Sequence, residues 1–318
     1  MTDEPKLSIV MPVYNEAGAV AGVIEAIQSA GIAVPHEIIV IDDASTDGTG
    51  AVLEGLASRG SGLQTATSGE SRPGGRSHEE SGPGGPSHKH IRVIRHDRNK
   101  GYGASLKTGI AAARAEHVMI IDGDGSYPVK HFDEFAAHAA EFDMVVGART
   151  TAVKHEPKLR TWVKALIIWM LKVLADIDVP DLNSGLRLMK KSQVSRYFHL
   201  LPDGISFTST ITLILLSEGR PVKFVPIDYF ARTGASKFLP VRDTLGIIIL
   251  IARTFLYFNP LKVFLPLALG CFALAAIVAA ISIAAGKFMD VTTVVLLLTG
   301  VQLFILGLLA DLMAKRRA

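Results

Sequence analysis

The sequence predicts an α/β fold with a mainly parallel sheet, helices on both faces and a membrane-inserted C-terminus. Three observations predict it. Short apolar runs at Leu7–Val13, Glu37–Ile41 and Val118–Ile121 alternate with segments of helical period. Strands that stay apolar at nearly every position are covered on both faces, as in parallel sheets flanked by helices. Finally, residues 263–286 and 291–310 contain no acidic or basic side chain, and each stretch matches the ~20 residues a helix needs to cross the hydrocarbon core.

The first strand closes with Pro12, Tyr14, Asn15 and Glu16, and a helix follows with Val20, Val23, Ile24 and Ile27 on one face, ending at Gly31. The second strand, Glu37–Ile41, ends in Asp42-Asp43-Ala-Ser-Thr-Asp-Gly-Thr, where Ser45 or Thr46 is placed to cap a helix running toward Ala57. Residues 59–90 are rich in Gly, Ser, Pro and His and nearly free of large apolar side chains, so a disordered insertion is expected there. Lying between a helix and a strand, it is expected at the amino edge of the sheet, away from ligands, which bind at the carboxyl edge. His78, His88 and His90 within it read as part of a solvated low-complexity loop.

Ile91–Arg95 forms the next strand and leads through Asn99-Lys-Gly-Tyr-Gly-Ala-Ser into a helix over about Leu106–Ala115. A glycine-rich loop at a helix N-terminus can meet phosphate or sugar oxygens. Further elements are expected as a helix near Val129–Glu141, a strand at Met144–Gly147 ending at Arg149, a helix over Phe207–Glu218 and a strand at Val222–Tyr229. The amphipathic stretch Lys158–Ile177 fits either a helix at a membrane surface or one packed on a core.

Hydrophobic residues make up 49% of the chain, and the excess is concentrated after residue 244, which places the membrane-directed part at the C-terminal end. A domain over 1–239 is expected in the cytosol, followed by an interfacial amphipathic helix over 240–259 and a hairpin over 260–318 with spans at about 263–286 and 291–312. Arg253 would sit in lipid if the run from 244 were a third span, at a cost of roughly 2.5–3.5 kcal/mol, so two spans are expected. Lys262 before the first span and Lys315, Arg316 and Arg317 after the second put both outer ends in the cytosol. The acidic N-terminus argues against a signal peptide. The expected location is the inner (cytoplasmic) membrane, multi-pass. A formal net charge of +3 is too small to indicate a nucleic-acid partner, and the single cysteine, Cys271, excludes an intrachain disulfide.

Chemistry concentrates in Asp122-Gly-Asp124. Side chains two apart leave a strand end on one side, and two hard carboxylates there suit Mg²⁺ or Mn²⁺ carrying a phosphate. Taken alone, the stretch could equally be an acidic turn. Pro12-Val-Tyr-Asn-Glu16, Ile41-Asp-Asp-Ala-Ser-Thr-Asp-Gly48 and Asp122-Gly-Asp124, in this order at three strand ends, resemble the family 2 glycosyltransferases of GT-A fold. Asn183-Ser-Gly-Leu-Arg187, Arg232-Thr-Gly-Ala-Ser-Lys237 and the terminal hairpin are similar to the polyprenyl-phosphate glycosyltransferases, the group of dolichyl-phosphate mannose synthase. Ser126 departs from the glutamine common in the family, and the 59–90 insertion has no counterpart in it.

The resemblance implies a nucleotide-sugar pocket lined by Pro12, Tyr14, Glu16, Asp43, Lys100 and Gly101, with Asp43 near the base or ribose. Strand-end turns and helix capping are the alternative roles. It implies Mg²⁺ or Mn²⁺ on Asp122 and Asp124, and an acceptor phosphate met by Arg149, Arg160, Arg232, Ser236 and Lys237, with Arg149 and Arg232 counted with the aspartates as catalytic. An internal ion pair is the alternative for Arg149 and Arg232, and contact with anionic lipid head groups for Arg160 and Lys237. The implied reaction moves a hexosyl or related group from a UDP- or GDP-sugar to a polyprenyl phosphate, of which undecaprenyl phosphate is the expected form, with inversion. Competing readings are a family 2 transferase acting on a glycan or sugar hydroxyl, a catalytically silent membrane adaptor and a dinucleotide-dependent oxidoreductase. The last lacks its glycine fingerprint in the first strand–helix turn. A homo-oligomer built through the hairpin and interfacial helices is compatible with this layout.

Overall fold

The computed structural model of the chain describes residues 4–59, 64–67, 91–150, 179–230, 256, 260–286 and 291–315. The expected interfacial helix over 240–259, apart from Leu256, the amphipathic stretch Lys158–Ile177, and Arg160, Arg232, Ser236 and Lys237 lie outside the described residues.

The elements run β1 (Leu7–Val13), α1 (Val20–Ser29), β2 (His36–Asp42), α2 (Thr49–Arg59), β3 (Gln64–Thr67), β4 (Ile91–Arg95), α3 (Tyr102–Ala112) and β5 (His117–Ile120). A 3-10 turn at Val129–His131 leads into α4 (Phe132–Ala137), followed by β6 (Met144–Arg149), β7 (Arg187–Lys190), α5 (Lys191–Ser195), α6 (Phe207–Ser217) and β8 (Val222–Ile227). Two long helices close the chain, α7 (Pro260–Ala284) and α8 (Val291–Lys315).

Eight strands form one sheet in the order β3-β4-β2-β1-β5-β7-β6-β8. All neighbours are parallel except β7, which runs antiparallel to both β5 and β6. Every residue of β1 is buried, because both of its faces are covered. On one face Ile9, Met11, Ile38 and Val40 meet Val20, Val23, Ile24 and Ile27 of α1, together with Phe132 and Phe135. These four α1 residues are the apolar stripe that the helical period predicts. On the other face α3 packs so closely that a Cβ on Gly109 would lie 2.3 Å from Val10 Cγ1. Two polar groups enter this core as a bonded set. Ser8 Oγ donates to Glu37 Oε1 at 2.7 Å and accepts the Ala115 N–H at 3.1 Å, while Glu37 Oε1 also accepts the Arg114 N–H at 2.7 Å.

Three expectations need correction. Helix α3 begins at Tyr102 rather than near Leu106, because Gly101 at φ +100° bends the chain into the helix directly after the loop. Ser45 does not cap α2. Its hydroxyl accepts the Asn15 N–H, and Asp47 takes the Thr49 N–H instead.

Residues 64–67, inside the segment expected to be disordered, form β3, paired in parallel with β4 from Gln64↔Arg92 to Thr67↔Arg95. Backbone pairing to an existing strand, with threonine at two of four positions, suffices there without a large apolar side chain. Thr67 therefore ends at the carboxyl edge of the sheet, not the amino edge expected for the insertion.

Helices α7 and α8 pack on each other, and glycines set the approach: a Cβ on Gly307 would lie 2.7 Å from Phe264 Cβ. Both are long and apolar enough to cross a membrane, with mean hydropathy of 2.5 and 2.4 over their most apolar windows. Only 17% of each window is buried, unlike the core helix of a water-soluble protein. Leu274, Ile277, Ile281, Leu298, Ile305 and Leu309 are among the large side chains left exposed.

Candidate active site

The carboxyl ends of β2, β1 and β5 lie side by side, and the turn before antiparallel β7 joins them, since Ile120 pairs with Arg187. A cavity of about 350 Å³ opens along this edge. Its lining includes Pro12, Tyr14, Glu16, Asp43 and Gly101 of the expected nucleotide set, both Asp122 and Asp124, and additionally Asn99, Ser105, Tyr102, Asn183, Ile205 and Thr208.

The wall made by β1 and β2 is built from two loops laced together. N–H groups of Asn15, Glu16 and Ala17 donate to Ser45 Oγ (3.0 Å), Thr49 Oγ1 (2.9 Å) and Asp47 Oδ2 (3.1 Å), and Asn15 Oδ1 accepts the Thr46 N–H at 2.8 Å. Asn15 and Ala44 hold left-handed backbone angles, φ 57° and 61°. Such angles are uncommon for residues other than glycine and persist where surrounding bonds over-determine them.

Asp43, almost fully buried, ties this wall to the glycine-rich loop. One oxygen bonds His96 Nδ1 at 2.7 Å and accepts the Lys100 N–H at 2.9 Å; the other accepts the Gly101 N–H at 2.8 Å. Its observed bonds thus organise the loop, while the carboxylate still borders the cavity. Lys100 contributes through its backbone, and its ammonium pairs with Asp97 at 3.0 Å.

Asp122 and Asp124 sit at the centre of the edge. Tyr102 donates its hydroxyl to Asp122 Oδ1 at 2.8 Å, and the backbone at Gly185 presses on the same carboxylate. Asp124 Oδ1 accepts both the N–H (3.0 Å) and the hydroxyl (2.5 Å) of Ser126. Burial first, and then the Asp122 charge, push the Tyr102 and Tyr127 hydroxyls far above their usual range, so both remain protonated. Tyr127 Oη accepts the Gly185 N–H at 2.7 Å, which fixes the loop against Asp122.

No cluster of three or more metal-ligating side chains occurs among the described residues. Two carboxylates on one cavity wall fit the way Mg²⁺ and Mn²⁺ are held in phosphate-transfer sites, where substrate phosphates and water complete the shell. The residues present therefore fit a divalent cation shared with a diphosphate and do not form a self-sufficient protein cage.

Arg149 is not brought into the cavity wall. Its Nε and Nη2 fork onto Asp181 at 2.6 and 2.9 Å, and the guanidinium lies 5.1 Å over the Tyr229 ring. This is the internal ion pair that the sequence leaves open for it. Burial would raise the Asp181 carboxyl, but hydrogen bonds and charge from Arg149 outweigh it and hold the group below the usual carboxylate range. Arg187, fully buried, donates to the carbonyls of Ser184 (2.7 Å) and Leu182 (2.6 Å) and to the Thr212 hydroxyl. Burial drops its guanidinium to about 10, so it stays charged at neutral pH. Tyr102 stands inside the glycine-rich Asn99–Ser105 loop, where its hydroxyl has no sequence signal of its own, and Ile205 and Thr208 lie in no recognisable motif.

The comparisons agree with this geometry. A family model described as glycosyl transferase family 2 matches residues 8–75 and 79–198, and one described as the GtrB C-terminal hairpin matches 259–315. Dodecaprenyl-phosphate galacturonate synthase of Rhizobium johnstonii is 24% identical, with 98% of this chain and 88% of that protein aligned. An undecaprenyl-phosphate 4-deoxy-4-formamido-L-arabinose transferase of Pectobacterium carotovorum is 26% identical over 63% of this chain and 53% of that protein. Dolichyl-phosphate beta-glucosyltransferase of Dictyostelium discoideum is 23% identical over 63% and 58%. The alignments with the latter two thus cover little more than half of their lengths.

Among solved structures, glucosyl-3-phosphoglycerate synthase from Mycobacterium tuberculosis with Mn²⁺ and UDP superposes with a TM-score of 0.52 at 17% identity, covering 79% of each chain. S. aureus TarS with UDP-GlcNAc gives 0.52 at 15% identity, covering 80% of this chain and 67% of that one. These likenesses give the GT-A fold. With a family model matched over more than half of its length and a hairpin model over residues 259–315, the chain belongs to glycosyl transferase family 2 and is a glycosyltransferase.

Proposed function

We propose that the protein transfers a hexosyl or related group from a UDP- or GDP-sugar to a polyprenyl phosphate at a membrane, with inversion at the anomeric carbon. The observation that carries the reading is a cavity in which the β1 and β2 loops meet Asp122 and Asp124. Support for the acceptor comes from the relatives named for polyprenyl-phosphate transfer and from the two apolar C-terminal helices.

In this reading the laced β1–β2 wall receives the nucleoside, and Asp122 and Asp124 are the residues that would hold a Mg²⁺ or Mn²⁺ for the diphosphate. When bound, that cation supplies Lewis-acid stabilisation of the negative charge that develops on the leaving group. Tyr102 and Ser126 keep the two carboxylates oriented through their hydrogen bonds. A phosphate monoester, with a second pKa of about 6, is already an anion at neutral pH. No general base has to deprotonate the acceptor. Its oxygen forms the new bond to the anomeric carbon as the bond to the diphosphate breaks, and the electron pair leaves with the nucleoside diphosphate. The enzyme positions both substrates and balances charge.

The acceptor phosphate is assigned to Arg160, Arg232, Ser236 and Lys237, because Arg149 is engaged by Asp181. The catalytic domain and both ends of the hairpin are assigned to the cytosol, at the inner membrane.

The test supplies radiolabelled sugar nucleotides with polyprenyl phosphate and a divalent cation, and follows label into the lipid extract. Lipid-linked label that requires polyprenyl phosphate, and that Asp124→Asn abolishes in a folded, membrane-bound protein, is the expected result. Normal turnover by Asp124→Asn refutes the metal assignment. Label arriving on a glycan hydroxyl without lipid phosphate refutes the acceptor.

A further inference from the structure

We propose that His96 is a positioning residue for the donor nucleotide: it fixes the Asp43 carboxylate against the sheet edge and so sets how tightly a nucleoside diphosphate is held. The inference rests on the donor reading above and adds to it a residue that stands behind the cavity wall.

The placement begins in the backbone. Strand β4 ends at Arg95, but its pairing with β2 is extended by one residue, since the His96 N–H donates to the Asp42 carbonyl at 2.9 Å. The pairing of β2 with β1 is extended likewise, the Asp43 N–H donating to the Val13 carbonyl at 2.9 Å. Asp43 and His96 therefore stand on neighbouring strand ends with their backbones fixed. Their side chains meet at 2.7 Å, Nδ1 to Oδ1. Both residues are only 3% exposed, so water does not compete for this bond.

The direction of the bond follows from the partner. An ionised carboxylate only accepts, so His96 Nδ1 carries the hydrogen and the ring donates. On its other side Nε2 lies 3.0 Å from the Thr108 hydroxyl of α3. The imidazole is held at both nitrogens, and turning it would break two buried bonds at once. Among the described residues neither His96 nor Thr108 lines the cavity. Whatever they do for a ligand passes through Asp43, which does.

Counting bonds shows what His96 contributes. A carboxylate has about four acceptor positions. Asp43 Oδ1 uses two, on His96 and the Lys100 N–H, and Oδ2 uses one, on the Gly101 N–H. An acceptor position on Oδ2 is left for a nucleoside O–H or N–H. The two backbone donors belong to the glycine-rich loop that the carboxylate itself organises, so they tie the loop to Asp43 rather than Asp43 to the scaffold. His96 is the partner joined to the scaffold, through the β2 backbone on one side and α3 on the other. Without its bond the carboxylate can swing together with the loop and withdraw that position from the ligand.

Two substitutions divide the contacts of the ring. An asparagine amide nitrogen reaches the place of Nδ1, and a glutamine amide nitrogen that of Nε2. His96→Asn thus keeps a donor to Asp43, while His96→Gln keeps only the contact with Thr108. Purified full-length protein in detergent with Mg²⁺ is titrated calorimetrically with UDP and with GDP, without acceptor. Steady-state transfer from UDP-glucose and GDP-mannose to polyprenyl phosphate and a thermal melt are recorded beside it.

His96→Gln is expected to weaken binding of the nucleotide that the wild type takes by about tenfold or more, and His96→Asn by no more than about threefold. The same losses are expected in KM, with kcat at saturating donor changed by less than about threefold, as for an interaction made equally in ground and transition states. Thr108→Val removes the second anchor of the ring and leaves His96 and Asp43 in place; it is expected to weaken nucleotide binding by at least about threefold. Equal losses in the asparagine and glutamine proteins would mean that the ring only fills space, and they overturn the inference. Unchanged nucleotide affinity in both, or a fall confined to kcat, overturns it as well. If neither His96 variant folds, Thr108→Val decides: a weakened affinity supports the inference and an unchanged one overturns it. A wild-type protein that binds neither UDP nor GDP removes the donor reading itself, and this inference with it.

Discussion

Replacing Gly185 by alanine separates the integrity of the site from that of the fold. A Cβ at this position would stand 2.2 Å from Asp122 Oδ2, 2.5 Å from its Cγ and 2.7 Å from Oδ1. Ordinary contact begins near 3.4 Å, so the carboxylate has to retreat by about 1 Å, a displacement that can cost on the order of 100-fold in rate when it falls on a reacting constellation. The stability cost is small by comparison. The obstructed atoms are the end of one side chain that can turn, and overpacking relieved in that way costs at most about 1–3 kcal/mol. Turning Asp122 also breaks its 2.8 Å bond from Tyr102. Steady-state transfer measured across a Mn²⁺ titration, beside a thermal melt, is therefore expected to show a fall in kcat of about 100-fold, a weaker apparent metal affinity and a modest shift in melting temperature. A Gly185→Ala protein with wild-type kcat and metal dependence would refute the assignment of Asp122 to the reaction centre.

Three further outcomes are expected. Gly103→Ala places its Cβ 2.2 Å from the Pro202 carbonyl oxygen and 2.9 Å from Asp203 C, both backbone atoms that cannot turn aside, so it should cost upwards of about 2–3 kcal/mol in a denaturant melt. Tyr102→Phe keeps the ring and deletes one hydrogen bond to Asp122; kcat should fall about tenfold, with the melt little changed. Asp181→Asn strands the Arg149 fork and should destabilise the domain by about 2 kcal/mol at neutral pH. Since the folded Asp181 carboxyl lies below its ordinary 3.8, its contribution is complete above that value and is lost as pH falls through the lower folded value. The difference in stability between wild type and Asp181→Asn should therefore be flat near neutrality and shrink only in strong acid.

Those parts of the fold that depend on local pattern could be read from the sequence. The stripe of Val20, Val23, Ile24 and Ile27, the apolar runs of β1, β2 and β5, and the two terminal helices each carry their own period or length. The strand ends carrying Pro12, Tyr14, Glu16, Asp43, Asp122 and Asp124 could also be found, because acidic and turn residues interrupt apolar runs abruptly. Features that depend on distant pairing were not legible. Arg149 meets Asp181 across 32 residues, and nothing in the spacing separates that ion pair from a phosphate-binding role. Strand β3 is four polar or small residues whose order comes from an already paired neighbour, which composition does not register. Ile205 and Thr208 reach the cavity only because the loop before α6 lies on Gly101 and Gly103 of another segment, a contact decided in three dimensions.

The lacing of the β1 and β2 loops bears on how such an enzyme can diversify. Four backbone N–H groups there are already satisfied by Ser45, Asp47, Thr49 and Asn15 before any ligand arrives, so little conformational freedom is lost there on binding. A substitution in that wall would disturb several bonds at once. The wall opposite carries an exposed aliphatic side chain at Ile205. Exchange there alters what the cavity touches without unravelling what holds it. The cavity thus has one wall whose bonds resist substitution and another where an exposed side chain can be exchanged at little cost to the fold.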